Sequence, residues 1–192
     1  DSLDVKMFKV GSGDVSNYLM LDKIGKTNKP IILSSGLSNL DDIEGSLAFL
    51  SRYDSEVAVL QCTTKYPTAF ENVGLNVMTD IRKRFNVKTG LSDHSGSIFP
   101  GLAAATLGAD YIEVHTVFDR RMFGPDSSSS LTIDELKELV NGIRSIEKML
   151  SVTIDKSLSL IEPSLKTLFG KTLCINKNKK AGSIITIDDL DG

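Results

Sequence analysis

The sequence predicts an α/β fold: part of a TIM-type (β/α)8 barrel, about five βα units long, followed by the start of a second, smaller domain. Three observations carry this. Short apolar runs of strand type alternate with helical stretches, the pattern of a parallel sheet with helices packed outside it. The runs recur about every 20 to 30 residues, the spacing a right-handed crossover needs. Each run ends in Ser, Thr, Asp or His, at the strand end where barrel sites are built. An open doubly wound sheet meets the first two observations, and the polar strand ends favour the barrel. Five units are too few to close eight strands, so the sequence implies three more before Asp1.

The strand runs follow in order. Met7–Val10 ends in Gly11-Ser12-Gly13-Asp14. Ile31–Leu33 ends in Ser34-Ser35-Gly36. Val57–Leu60 ends in Gln61-Cys62-Thr63-Thr64. Thr89–Leu91 ends in Ser92-Asp93-His94, and Tyr111–Val114 ends in His115-Thr116. Between them, residues 41–50 place Ile43, Leu47 and Leu50 on one helical face, and residues 75–85 do so with Leu75, Met78, Ile81 and Phe85. Residues 102–107 read as a small-residue helix. The clearest helix spans 132–150. Thr132 and Glu135 form a capping box, and Leu136, Leu139, Val140, Ile143, Ile146 and Leu150 its apolar stripe.

The character changes after residue 150. Residues 1–150 are read as the barrel part, 151–170 as a linker and 171–192 as the opening of the small domain. In that domain 171–175 and 183–186 are expected strands, 176–182 a polar turn with Lys177, Lys179 and Lys180 at its tip, and 187–190 the start of a helix.

Composition excludes several classes. The chain has 192 residues, 41% hydrophobic and 24% charged, which is ordinary for a globular protein. The net charge of -3 argues against a nucleic-acid binder, which usually needs a basic surplus. The apolar runs are too short to span a bilayer, and the opening DSLDVKMFKV holds no secretory signal. Two distant cysteines give no disulfide framework, so a cytoplasmic location is expected. A start at Asp1 rather than Met points to a processed, cut or partial chain.

Both histidines, His94 and His115, fall at the C-terminal ends of neighbouring predicted strands. Two neutral imidazoles suit a divalent transition metal, with carboxylate or water completing the shell. The other reading makes one a core histidine and the other a general acid or base. Ser12, Ser34, Thr64 and Ser92 sit where backbone amides favour phosphate or carboxylate, and Lys9 can neutralise that anion. Asp14, Tyr66 and Asp126 lie in loops past strand ends and can hydrogen-bond sugar hydroxyls, although Asp14 and Asp126 also suit plain turns.

The runs FKVGSGD, PIILSSGLSNLDDIE, LQCTTKYPT, GLSDHS and YIEVHTVFDRRMFGPD, in this order, resemble the sialic acid synthase family. The resemblance is dense over residues 5–150 and continues into 171–190, which looks like the opening of that family's antifreeze-like (SAF) domain. It implies condensation of phosphoenolpyruvate with an N-acylmannosamine-type sugar to give a sialic acid and phosphate. By the same resemblance His94 and His115 hold Mn²⁺, or Mg²⁺ in its place. Lys9, Ser12, Ser34, Thr64 and Ser92 hold phosphoenolpyruvate. Tyr66 and Asp126 contact the sugar with Asp14 beside them, and Asp126 joins the two histidines in the catalytic set. The metal would polarise the sugar aldehyde for attack by the methylene carbon of phosphoenolpyruvate. The full-length form is expected to be a homodimer.

Three positions depart from the pattern. Asp14 replaces a frequent Glu, Thr64 a frequent Asn or Ser, and Ser127–Ser130 a frequent His-x-Ala-Ser run. They bear on the identity of the sugar. The alternative is a truncated, catalytically inactive fragment of such a synthase, and an unrelated phosphate-binding α/β protein is the third reading.

Overall fold

The computed structural model describes residues 4–155 and 163–192. Six parallel strands form one sheet: β1 (Phe8–Val10), β2 (Ile31–Ser34), β3 (Val57–Cys62), β4 (Lys88–Asp93), β5 (Tyr111–Val117) and β6 (Ser130–Thr132). Their order in the sheet is their order in the chain. Each crossover carries the chain past one helix or one loop and back to the next edge position. The result is a curled, partial (β/α) barrel, one strand larger than the sequence predicts.

The strands outrun their apolar segments. β3 continues to Cys62, β4 to Asp93 and β5 to Val117. Pairing carries them on: Cys62 is in register with Ser92, and Ser92 with Glu113. The polar residues expected just past the strands are therefore partly the last residues within them.

Successive side chains alternate between faces. Val10, Leu33, Val59 and Leu91 point outward and are buried under the helices. α1 (Tyr18–Gly25) and α2 (Leu40–Leu50) cover β1 and β2 through Leu21 and Leu50. α2 and α3 (Leu75–Phe85) cover β3 through Ile43 and Ile81. α3 and α4 (Phe99–Thr106) cover β4 through Met78 and Ala104. The buried apolar residues thus form three clusters along the outside of the sheet.

α1 is an element that the sequence pattern did not reveal. It is short, and the Asn17 side chain caps it by accepting from the Met20 amide at 3.2 Å. α4 begins three residues before the predicted helix, because Pro100 fits the first turn, where no amide partner is needed. α5 (Ile133–Leu150) has the predicted capping box: Glu135 accepts from the Thr132 amide, and Thr132 accepts from the Glu135 amide. Its stripe is less buried than expected. Leu139 is buried against Gly101 of α4, but Val140 and Leu150 are exposed. α4 has eight residues and α5 eighteen, so the later turns of α5 outrun the neighbour they pack on.

The chain divides into two compact units, Asp1–Val152 and Thr153–Gly192. In the second, α6 (Pro163–Phe169) falls inside the predicted linker, and part of that linker lies outside the described residues. β7 (Cys174–Ile175) pairs antiparallel with β8 (Leu190–Asp191), shorter than predicted. Residues 183–186 form no strand, and Ile187–Asp189 is a single 3-10 turn rather than a longer helix.

Lys177 and Lys179 do not simply face solvent. Their amines reach the buried carboxylate of Asp189 at 2.7 and 2.6 Å, and the Thr186 amide donates to the same group at 3.0 Å. These donors, Lys177 foremost, hold the Asp189 carboxyl well below the usual carboxylate range. A carboxylate with a lowered folded pKa stabilises above its unfolded value, about 3.9, and loses that effect as pH falls below it. The amide resonances of 174–191 should therefore stay dispersed from pH 8 to 5 and lose dispersion progressively on acidification below about pH 4. Asp189→Asn should remove most of this pH dependence. An acid-unfolding midpoint that Asp189→Asn leaves unchanged would contradict the assignment.

Among the described residues no helix is long and apolar enough to cross a membrane.

Candidate functional site

The inner face of the sheet carries different chemistry from its outer face. At the C-terminal ends of β1 to β5, a cavity of about 330 Å³ is lined by Lys9, Ser12, Ser34, Thr64, Tyr66, Ser92, His94 and His115. Eight of the ten residues singled out in the sequence thus share one wall. Glu113 and Cys62 line it as well and were not foreseen. A signal for Glu113 existed, since it stands two residues before His115 and so on the same face of β5.

The first half of the cavity gathers hydroxyls and one lysine. Ser12 lies in a 3-10 turn directly after β1 and accepts from the Gly36 amide at 3.0 Å. Its hydroxyl also lies 3.7 Å from the Cys62 sulfur. Gly36 leaves this corner open, because a Cβ there would press into the Thr64 hydroxyl and Ser12. Ser34 Oγ is buried and has no hydrogen-bond partner. A buried hydroxyl without a partner costs free energy unless a ligand or water satisfies it. Lys9 brings the positive charge, paired with Glu113 at 3.2 Å. Glu113 also accepts from the Ser92 hydroxyl at 2.7 Å.

The second half carries the imidazoles. His94 and His115 have ring centroids 5.1 Å apart. His94 is buried, and its Nδ1 lies 3.1 Å from the Thr63 carbonyl. A carbonyl can only accept, so Nδ1 carries the proton and Nε2 presents its lone pair, with the Ser92 hydroxyl 3.5 Å away. That is the arrangement in which a histidine ligates a metal through Nε2. The Tyr66 ring stacks on His94 at 4.2 Å and meets His115 edge-on at 5.7 Å. Its hydroxyl lies 3.4 Å from His94 Nε2. Burial, together with Cys62, Asp126 and Glu113, pushes the Tyr66 phenol upward, so it stays a protonated donor.

Asp93 faces the other way. Burial raises its pKa, while hydrogen bonds from Ser95 pull it back. Among the described residues no cluster of three or more His, Cys, Asp and Glu side chains is set to hold a metal. An ion held here would have the two imidazoles as its protein ligands and water or substrate oxygens for the rest.

Two of the singled-out residues lie apart. Asp14 is absent from the cavity wall; its carboxylate accepts from Asn17 at 3.1 Å beside the start of α1. Asp126 borders a neighbouring recess with Phe118, Met122 and Phe123, and its Oδ2 lies 4.0 Å from His115 Nδ1. Ser127–Ser129 form a 3-10 turn that leads straight into β6.

Fold and cavity together define a barrel-type protein with a polar ligand site at the C-terminal ends of its strands. The chain belongs to the NeuB family, whose model matches residues 1–155. It is 39% identical to the N,N'-diacetyllegionaminic acid synthase of Campylobacter jejuni, over 99% of this chain and 58% of that protein. It is 34% identical to the human N-acetylneuraminate-9-phosphate synthase, over 98% of this chain and 52% of that protein. Among solved structures, the N-acetylneuraminic acid (sialic acid) synthetase of Leptospira borgpetersenii superposes with a TM-score of 0.75 at 26% identity. That match covers 87% of this chain and 57% of the other. The chain thus spans about half the length of the curated relatives it matches.

Proposed function

We propose that this chain supplies the phosphoenolpyruvate and metal sites of a nonulosonate synthase. The reaction joins phosphoenolpyruvate to an N-acylmannosamine-type sugar, adds water and releases phosphate and a sialic acid. One observation carries the reading. A single cavity holds a lysine and hydroxyls suited to a phosphorylated acid at one end and two imidazoles at the other. The chain's legionaminic and sialic acid synthase relatives support it.

A Mn²⁺ or Mg²⁺ ion held by His94 and His115 would supply Lewis-acid polarisation of the sugar aldehyde. Lys9, Ser12, Ser34, Thr64 and Ser92 hold the phosphate and carboxylate of phosphoenolpyruvate, and so fix its methylene carbon toward the imidazole end. Holding two reactants in register is itself a large part of the barrier reduction. Glu113 spaces Lys9 and Ser92 from one another and tempers the positive charge of the pocket. Tyr66 and Asp126 face the sugar, Asp126 from the far side of His115, while Asp14 stands outside the cavity wall beside the start of α1. In the same reading residues 171–192 open an antifreeze-like domain, and the full-length protein is a homodimer. It works in the cytoplasm, where Cys62 and Cys174 stay free thiols.

The test is binding of phosphoenolpyruvate by titration calorimetry, in Mn²⁺ and with a chelator control. Lys9→Ala should weaken binding by roughly tenfold or more, as loss of a charged hydrogen bond does. Binding unaffected by Lys9→Ala would overturn the anion assignment. Metal-dependent phosphate release on adding N-acetylmannosamine would extend the reading to the whole reaction.

A further inference from the structure

His94 is gripped by one short segment, residues 63–68, between β3 and α3. The segment touches it at three points. The Thr63 carbonyl takes the Nδ1 proton at 3.1 Å. The Tyr66 ring covers its face at 4.2 Å. The Thr68 amide donates to the His94 carbonyl at 2.9 Å.

The segment is in turn closed on itself by one side chain. The Thr68 hydroxyl donates to the Lys65 carbonyl at 2.6 Å and lies 3.3 Å from the Thr63 carbonyl. Thr68 is 5% exposed, so this hydroxyl has little water to turn to. The outer end of the loop is pinned separately, where the Thr63 hydroxyl donates to the Asn72 carbonyl at 2.6 Å. Without the Thr68 hydroxyl, nothing in this set ties residue 68 back to residues 63 and 65. The carbonyl that fixes the His94 tautomer would then be held within the segment by the Lys65 amide alone, at 2.8 Å.

We propose that Thr68 is a positioning residue: its hydroxyl holds the Thr63 carbonyl on His94 Nδ1, which keeps the Nε2 lone pair directed into the cavity. The metal part of its test rests on the reading of His94 as a ligand. The tautomer part does not.

The experiment compares the wild-type chain with Thr68→Val and Thr68→Ser. Valine keeps the shape and the backbone amide, and serine keeps the hydroxyl. Long-range ¹H–¹⁵N spectra at pH 8 report which ring nitrogen of His94 carries the proton, with His94→Gln used for assignment. Mn²⁺ affinity is read by electron paramagnetic resonance. The wild-type His94 should be the Nδ1–H tautomer. Thr68→Val should give a mixed tautomer and bind Mn²⁺ at least about tenfold more weakly, while Thr68→Ser stays within about a factor of three.

An Nε2–H tautomer in the wild type overturns the proposal. So does a Thr68→Val protein that keeps both the wild-type tautomer and the wild-type affinity. If Thr68→Val does not fold, Thr68→Ser decides: a preserved Nδ1–H tautomer upholds the proposal, and a shifted one overturns it. A wild type that binds no Mn²⁺ removes the metal reading, while the tautomer comparison still tests Thr68.

Discussion

Replacing His94 and His115 together by Ala should abolish Mn²⁺ binding. The loss should exceed the roughly 10- to 100-fold that removal of an outer hydrogen-bond partner costs, because both protein ligands go at once. Phosphoenolpyruvate binding without metal should fall much less, since the hydroxyls and Lys9 lie at the other end of the cavity. His94 is buried and bonded to Thr63, so the double variant also needs a stability control. His115→Ala alone serves that purpose, because its ring is half-buried and its nearest charged neighbour is Asp126 at 4.0 Å. Calorimetry and Mn²⁺ resonance on the wild type and the two variants make the measurement. A double variant that binds Mn²⁺ as the wild type does would remove the imidazole pair from any metal role.

Gly90→Ala should be the most damaging single methyl in the barrel unit. Gly90 lies in β4, in register with Leu60 on one side and Tyr111 on the other. A Cβ there would press into the Tyr111 carbonyl oxygen and come within 2.7 Å of Leu60 Cδ2. A flexible side chain can yield, but a carbonyl locked in a strand ladder cannot move without displacing its strand. Overpacking typically costs 1–3 kcal/mol, and a backbone obstacle points to about 3 kcal/mol or more. Against a total of roughly 5–15 kcal/mol, that is a large share. The urea midpoint followed by far-ultraviolet circular dichroism should drop accordingly. Ser92 and His94 follow Gly90 closely, so anion and Mn²⁺ binding should weaken in the same variant. An unchanged midpoint would show that β4 and β5 have more room than their register allows.

The sequence made some of this legible and hid the rest for physical reasons. α2, α3 and α5 showed themselves because their apolar residues recur at helical spacing and their caps are local. β6 did not, because Ser130-Leu131-Thr132 has one apolar residue, and its extended state comes from pairing with His115–Val117. In the C-terminal unit the local signal misled. Ile184 and Ile185 look like strand residues but lie exposed outside any strand, while Leu190 and Asp191 pair with Cys174 and Ile175. At the site, residues at strand ends were legible because a parallel sheet brings all such ends to one edge. Asp14 and Asp126 were harder, since a loop can turn its carboxylate to a cap as readily as to a cavity. Cys62 gave no signal of its own. It lines the wall only because β3 stays paired two residues past its apolar run.

Strand order in this sheet equals chain order, and that gives the site a direction in time. Lys9, Ser12 and Ser34 belong to the first two βα units, Thr64 and Tyr66 to the third, and His94 and His115 to the fourth and fifth. During synthesis, at roughly 5 to 20 residues per second, the groups for the phosphorylated acid leave the ribosome before either imidazole. Each new strand needs only the one already docked. A nascent chain halted after β3 would carry Lys9, Ser12 and Ser34 but neither imidazole.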